Sequence, residues 1–421
     1  MDGSKAGLVV VGASLAGLRA VESARRAGYS GAITLIGEEV HAPYDRPPLS
    51  KQFLVDSPNP VPLCTEEDLR ERLGVRLLLG RAAAGLDPDA HVVRLDGGHQ
   101  VPYHRAIIAT GAKARGLNGS GGLAGVHTLR TVEDASAIRD ALTPGTRVVV
   151  VGAGFIGAEI ASSAVSVGAT VTIVEAAPAP LVRAVGELVG TELARLHDLA
   201  GVRVVLGARI TELLGTARVT GVRLADGQVV RADVVVVGIG AVPATEWLSG
   251  SGVELDPVDG GIVCDAFLRT SVADVYAAGD VASWPNAIMD QRMRMENWTG
   301  AAELGARAAV NALFPDRATA FETVPYFWSD WYGSRIQFAG TALAERAEIV
   351  TSDVEHAQFV ALYSTGSRLA GAATLNQPAK IMKLRRLIQR RASLDEAVQL
   401  LQRSRTVPVP EPVAGRAQPC P

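Results

Sequence analysis

The residues best placed to do chemistry in this 421-residue chain lie in two glycine-rich turns, each followed by an acid. The clearer turn is Gly152-Ala153-Gly154-Phe155-Ile156-Gly157, a full GxGxxG pattern between the strand Val148 to Val151 and a helix expected over Ala158 to Val167. Backbone N–H groups at such a helix start, with the helix dipole behind them, suit a pyrophosphate. The following strand, Thr170 to Val174, delivers Glu175, 23 residues after Gly152 and close to the roughly 20 expected of a ribose acid. A carboxylate there accepts from a free 2′-hydroxyl and repels a 2′-phosphate, which favours NADH over NADPH.

The second turn is less regular. Leu8 to Val11 reads as a strand, Gly12-Ala13-Ser14-Leu15-Ala16-Gly17 as the turn, and Ile33 to Ile36 as the next strand, ending near Glu38. Ser14 stands where the second glycine belongs, so the stretch alone fits a nucleotide site or a buried crossover with a small-residue turn. The loop that follows, His41 to Lys51, holds Pro43, Pro47 and Pro48 and is expected to be rigid, with Ser50 capping a helix. Arg46 and Lys51 in that loop are cations for a phosphate, or two solvated charges. Two dinucleotide units call for two ligands, and one flavin with one nicotinamide is the economical pair, because hydride passes between them.

Further strands close on small-residue turns: Ala106 to Ala112, with Thr110 and Gly111; Val234 to Val237, leading to Gly240; and Val275 to Ala278, leading to Gly279-Asp280. Asp280 is placed either to accept hydrogen bonds from a sugar alcohol chain or to cap a small-residue helix start. A long helix is expected to open at Arg294 to Trp298 and to run to about Phe314. From Tyr326 to Tyr332 the chain turns aromatic, with Tyr326, Phe327, Trp328, Trp331 and Tyr332 close together in a protein only 5% aromatic. Such a cluster is a small domain's core or a platform for a flat ring. Alternating strands after it predict a small antiparallel sheet, followed by a helix, Lys380 to Arg391, with six cations and no acid. That helix is either a solvated face or a docking patch for an acidic protein through Lys380, Lys383, Arg385, Arg386 and Arg390. The proline-rich stretch after Thr406 reads as a disordered tail.

A net charge of -3 argues against nucleic acid as the main partner. Apolar runs of four to six residues, as in Arg147 to Val151, are far short of the roughly 20 that a spanning helix needs. Cys64, Cys264 and Cys420 share no metal-ligand or redox spacing, and the start of the chain leaves no room for a signal peptide, so no metal and a cytoplasmic setting are expected.

Several segments together resemble a known family. They are PYDRPPLSK (Pro43 to Lys51), IIATGA (Ile107 to Ala112), LRT (Leu129 to Thr131), VVVGAGFIGAE (Val149 to Glu159), VVVGIGAVP (Val235 to Pro243), YAAGDVA (Tyr276 to Ala282) and YFWSD (Tyr326 to Asp330). The chain is similar to the FAD-dependent NADH:ferredoxin reductases of the putidaredoxin-reductase-like kind, which serve monooxygenases and ring-hydroxylating dioxygenases. The resemblance spans nearly all of residues 7 to 385. It implies an α/β protein with two Rossmann-like domains in a glutathione-reductase-like arrangement and a small α+β C-terminal domain. The expected divisions are 1–112 with 246–322 for FAD, 113–245 for NAD, 323–405 for the C-terminal domain and 406–421 for the tail.

Carried onto this sequence, the resemblance gives FAD the turn from Gly12 through Ser14, Leu15 and Ala16 to Gly17, along with Glu38, Arg46, Lys51, Ala83, Thr110, Gly111, Arg130, Asp280, Trp298 and Trp328. It gives NAD the turn residues Gly152, Gly154, Phe155, Ile156 and Gly157, with Glu175, Arg183 and Gly240. It pairs Lys51 with Glu159 as the catalytic ion pair beside the flavin, and implies an acidic 2Fe-2S ferredoxin as acceptor for a monomer or homodimer. Trp331 departs from the family, standing where a glutamine is common and close to the expected flavin face. A disulfide or peroxide reductase is an alternative that needs a redox cysteine, and Phe53 to Ser57 holds none. A redox-sensing interaction protein of the apoptosis-inducing-factor kind is the other.

Overall fold

The computed structural model describes residues 6–56, 59–117, 122–353 and 356–403. Ser57, part of the glycine-rich stretch 116–125, Cys420 and the proline-rich tail lie outside them. The first glycine turn joins strand β1 (Gly7–Val11) to helix α1 (Leu15–Arg26), which returns to β2 (Ile33–Ile36). β1 is buried along its whole length because both faces of its sheet are covered, which is why it reads as a continuous apolar run. It pairs in parallel with β2 on one side and with Gln100–Ile108 on the other, and Val275–Ala277 adds in parallel to that neighbour. One sheet therefore draws strands from both halves of the chain.

The second turn repeats the plan with β3 (Arg147–Val151), α2 (Phe155–Ser166) and β4 (Thr170–Val174), followed by α3 (Val182–Leu199). Here the parallel order is Val126–Thr128, Val234–Val237, β3, β4, Arg203–Val205. Helix α2 begins three residues before the sequence places it, because Phe155 and Ile156 already belong to its first turn. Helix α4 (Trp298–Leu313) starts at Trp298, where the Asn297 side chain accepts from Gly300 N at 2.6 Å, while Arg294 belongs to a strand. Helices α1 and α4 cross in contact: a Cβ on Gly305 would lie 2.1 Å from the Ala16 carbonyl oxygen. That crossing fixes the N-terminus of α1 in place.

The last sheet is antiparallel, with β5 (Tyr326–Trp331), β6 (Ser334–Gly340), β7 (Arg346–Asp353), β8 (Gln358–Thr365) and β9 (Arg368–Leu375) in the order β5-β6-β9-β8-β7. Period-two alternation splits β8 between two cores. Phe359, Ala361 and Tyr363 pack with Val185, Val189 and Leu193 of α3, whereas Val360 and Leu362 pack with Ile381, Leu384 and Ile388 of α5 (Pro378–Gln389). A final helix, α6 (Leu394–Arg403), closes the second core.

Two local expectations are overturned. Ser50 does not cap a helix: Lys51 is the N-cap of the short Gln52–Val55 helix, and the Ser50 hydroxyl is spent on Glu159. No α-helix starts at Asp280 either; a single 3-10 turn, Gly279–Val281, runs straight into the strand Ala282–Asn286. Phe338 is 2% exposed between a stacked Phe327 and an edge-on Tyr363. Phe338→Ala is expected to cost about 3–5 kcal/mol in denaturant unfolding; a loss below about 1 kcal/mol would contradict this packing.

Candidate active site

In the first turn Gly12 adopts a φ of +121°, and a Cβ there would strike the Ala109 carbonyl oxygen at 2.0 Å. A Cβ on Gly17 would meet Gly12 O at 1.9 Å. Ser14 has an extended backbone (φ -115°), open to any residue, and its side chain makes no cap hydrogen bond. Instead its Oγ accepts from Arg46 Nε at 3.3 Å. The N–H groups at the start of α1 are thus left for an anion, and the residues present fit a nucleotide's pyrophosphate.

Arg46 is the hub of the proline loop. It donates to Glu39 at 2.5 Å, to Tyr44 Oη at 3.1 Å and to the Arg130 carbonyl at 2.6 Å. Arg130 in turn pairs with Asp280 at 3.0 Å, and Gly111 lies against its guanidinium. Thr110 donates to the Ala244 carbonyl at 2.8 Å, and Gly279 packs on Ala16. The structure therefore gathers Ser14, Ala16, Arg46, Thr110, Gly111, Arg130 and Asp280. Glu38 is exposed two residues beyond β2, and Ala83 sits on an outer strand opposite Leu95.

In the second turn Gly152 has a φ of +97°, and Cβ atoms on Gly152 and Gly157 would collide with Gly238 O and Gly152 O. Gly154 is the extended N-cap of α2. The Glu175 carboxylate lies on this turn, accepting from Ala153 N at 2.6 Å and Ala177 N at 2.8 Å. Each oxygen keeps a further lone pair for a ribose hydroxyl. Arg183 approaches Gly240, Ile156 is exposed, and Phe155 packs edge-on against Phe327 at 4.6 Å.

The two units meet at an ion pair. Lys51 Nζ, at the end of the proline loop, lies 2.7 Å from Glu159 Oε2 on α2, and both side chains are largely buried. Ser50 Oγ donates to the same oxygen at 2.5 Å, and Ser329 Oγ of β5 donates to Oε1 at 2.6 Å. Beside them, Trp328 packs edge-on to Trp298 at 6.2 Å, and the Trp298 indole donates to Asp45 at 2.7 Å. Trp331 does not share that face. It is fully buried, stacks on His197 of α3 at 5.0 Å, and donates to Ser329 Oγ at 2.8 Å. The roles of Ser50, Ser329 and His197 were not read from the sequence, since each is set by a partner distant in the chain.

Cys64 and Cys264 are free and buried, and burial pushes the Cys264 thiol up to about 12, so neither offers a ready thiolate. Among the described residues no helix is long and apolar enough to cross a membrane, and no cluster suits a metal ion.

Two nucleotide turns joined through a buried lysine–glutamate pair define a flavin- and nicotinamide-dependent oxidoreductase. Residues 6–305 match the family model described as pyridine nucleotide-disulphide oxidoreductase, and residues 326–404 match the reductase C-terminal model. Rhodocoxin reductase of Rhodococcus erythropolis is 35% identical over 90% of this chain and 89% of its own length. The p-cumate 2,3-dioxygenase system ferredoxin–NAD(+) reductase component of Pseudomonas putida is 36% identical over 92% and 94%. The covalent putidaredoxin reductase–putidaredoxin complex superposes with a TM-score of 0.89 at 28% identity, covering 95% of this chain and 99% of that one. The chain belongs to the pyridine nucleotide-disulphide oxidoreductase family and carries its reductase C-terminal domain. It is an FAD- and NAD(H)-binding oxidoreductase, and the resemblance read from its sequence is borne out.

Burial without a charge partner holds the His197 imidazole down at about 4, from its ordinary 6.5. Below pH 6.5 the unfolded chain takes up a proton that the folded chain refuses, so stability falls as the pH drops from 6.5 towards 4. The loss amounts to about 3 kcal/mol by pH 4. His197→Gln is expected to flatten this limb of the stability profile, measured by urea unfolding at a series of pH values; an unaltered slope would contradict it.

Proposed function

We propose that this chain is an NADH:ferredoxin oxidoreductase that passes electrons to a 2Fe-2S ferredoxin serving a monooxygenase or dioxygenase. The observation that carries the reading is the Lys51–Glu159 pair, held between the two turns with no cysteine among its partners. FAD, when bound, accepts hydride from NADH and returns the electrons one at a time. We assign FAD to residues 1–112 with 246–322, NAD to 113–245 and the covering domain to 323–405.

In this reading the α1 N-terminus and Arg46 hold the FAD pyrophosphate, Glu38 its ribose, Asp280 with Arg130 the sugar alcohol chain, and Trp298 with Trp328 flank the ring. Gly152 to Gly157 receive the NADH pyrophosphate, and Glu175 the adenosine ribose, which excludes a 2′-phosphate. Lys51 supplies positive charge where the flavin becomes negative, and Glu159 keeps that lysine in position.

For the partner, a groove of about 650 Å³ runs between α4 and α5, lined by Arg307, Arg385 and Arg386 with Glu303 and Met382. Arg385 is already engaged, pairing with Glu303 at 3.5 Å and donating to Val324 O at 3.0 Å, and Arg390 pairs with Glu396. Lys383 and Arg386 are exposed and are the cations we assign to an acidic ferredoxin.

The reading predicts rapid NADH-dependent reduction of a 2Fe-2S ferredoxin by the yellow holoprotein, several-fold slower with NADPH. Slow turnover with a persistent long-wavelength NADH complex would favour the redox-sensor reading instead. Lys383→Glu with Arg386→Glu is expected to raise the ferredoxin KM about tenfold and to flatten its salt dependence. An unchanged KM would remove these two cations from the proposal.

A further inference from the structure

The Glu159 carboxylate is held from the side opposite its lysine by a chain of contacts that starts on α3. His197 is fully buried, and its Nδ1 lies 2.8 Å from Tyr332 Oη. Burial raises the tyrosine's pKa, so its hydroxyl stays protonated, and the ring's tautomer sets which of the two partners donates. The His197 ring stacks on Trp331 at 5.0 Å and 28°. Trp331 Nε1 then lies 2.8 Å from Ser329 Oγ, and Ser329 Oγ lies 2.6 Å from Glu159 Oε1.

The donor inventory gives this chain a direction. An indole N–H can only donate, so Ser329 must accept from Trp331, and the hydroxyl's single proton is left for Glu159. A carboxylate receiving that proton on Oε1 is turned so that Oε2 faces Lys51 Nζ at 2.7 Å and Ser50 Oγ at 2.5 Å. We propose that Trp331 and Ser329 are positioning residues for the redox site: the indole orients the serine hydroxyl, the hydroxyl fixes Glu159 on Lys51, and the stack on His197 anchors this relay to the nicotinamide-side helix α3. The relay sets how completely the lysine's charge is neutralised. Without it, Glu159 is free to leave Lys51, whose uncovered charge then stabilises the more negative, reduced flavin.

This inference rests on the reading of Lys51 and Glu159 as the pair facing the flavin. It is tested by redox titration of the flavin in the holoprotein with Ser329→Ala, Ser329→Thr, Trp331→Phe and Glu159→Gln, and with each of the first three combined with Glu159→Gln. Ser329→Ala and Trp331→Phe are expected to raise the midpoint potential by about 30 mV, a tenfold change for a two-electron couple. Ser329→Thr, which keeps the hydroxyl, returns the wild-type value. In the Glu159→Gln background, itself shifted upwards, neither change adds a further shift.

If Ser329→Ala fails to hold FAD, Trp331→Phe decides, since it keeps the aromatic packing and deletes only the donor. An unmoved potential in Trp331→Phe, or a shift of equal size with and without Glu159, overturns the relay. An unmoved potential in Glu159→Gln overturns the reading beneath it.

Discussion

The ion pair between Lys51 and Glu159 is the constraint on which the rest of the site depends. Two charges taken out of water lose several kcal/mol of hydration each, and attraction compensates only when the remaining lone pairs are also satisfied. Here Oε2 receives Lys51 and Ser50, and Oε1 receives Ser329. Those donors come from the proline loop and from β5, so the carboxylate can be buried only when these two segments, distant in sequence, are assembled around α2. Lys51 also donates to the Pro47 carbonyl at 3.1 Å, which ties the ammonium back to the rigid loop that carries it.

The glycine turns supply the frame for that pair. Gly12 and Gly152 take positive φ angles, and Gly17 and Gly157 pack their Cα atoms against the turn's own carbonyl. These positions were legible because only glycine fits them. The middle position is different: Ser14 and Gly154 both have extended backbones, so glycine there serves close approach of a ligand and not the chain's conformation. Ser14 therefore leaves the turn intact and turns its hydroxyl to Arg46.

What the sequence hid was partnership across long distances. Trp328 and Trp331 read as one aromatic cluster, but three residues apart on a strand they point to opposite faces. One packs with Trp298 and the other disappears against His197. The six cations of α5 and its end were visible as charge, while the acids that occupy some of them, Glu303, Glu396 and Asp290, come from other elements. Ser50 looked like a cap because serine before a helix usually is one, and a buried carboxylate 109 residues away took its hydroxyl instead.

The proposed role of Lys51, a charge that favours electron acceptance by the flavin, is tested by stopped-flow reduction by NADH of the flavin in Lys51→Met, with the flavin midpoint potential measured on the same protein. It predicts a reduction rate at least about tenfold slower and a lower potential, as expected when a stabilising charge is removed. A rate and a potential equal to those of the wild type would contradict it.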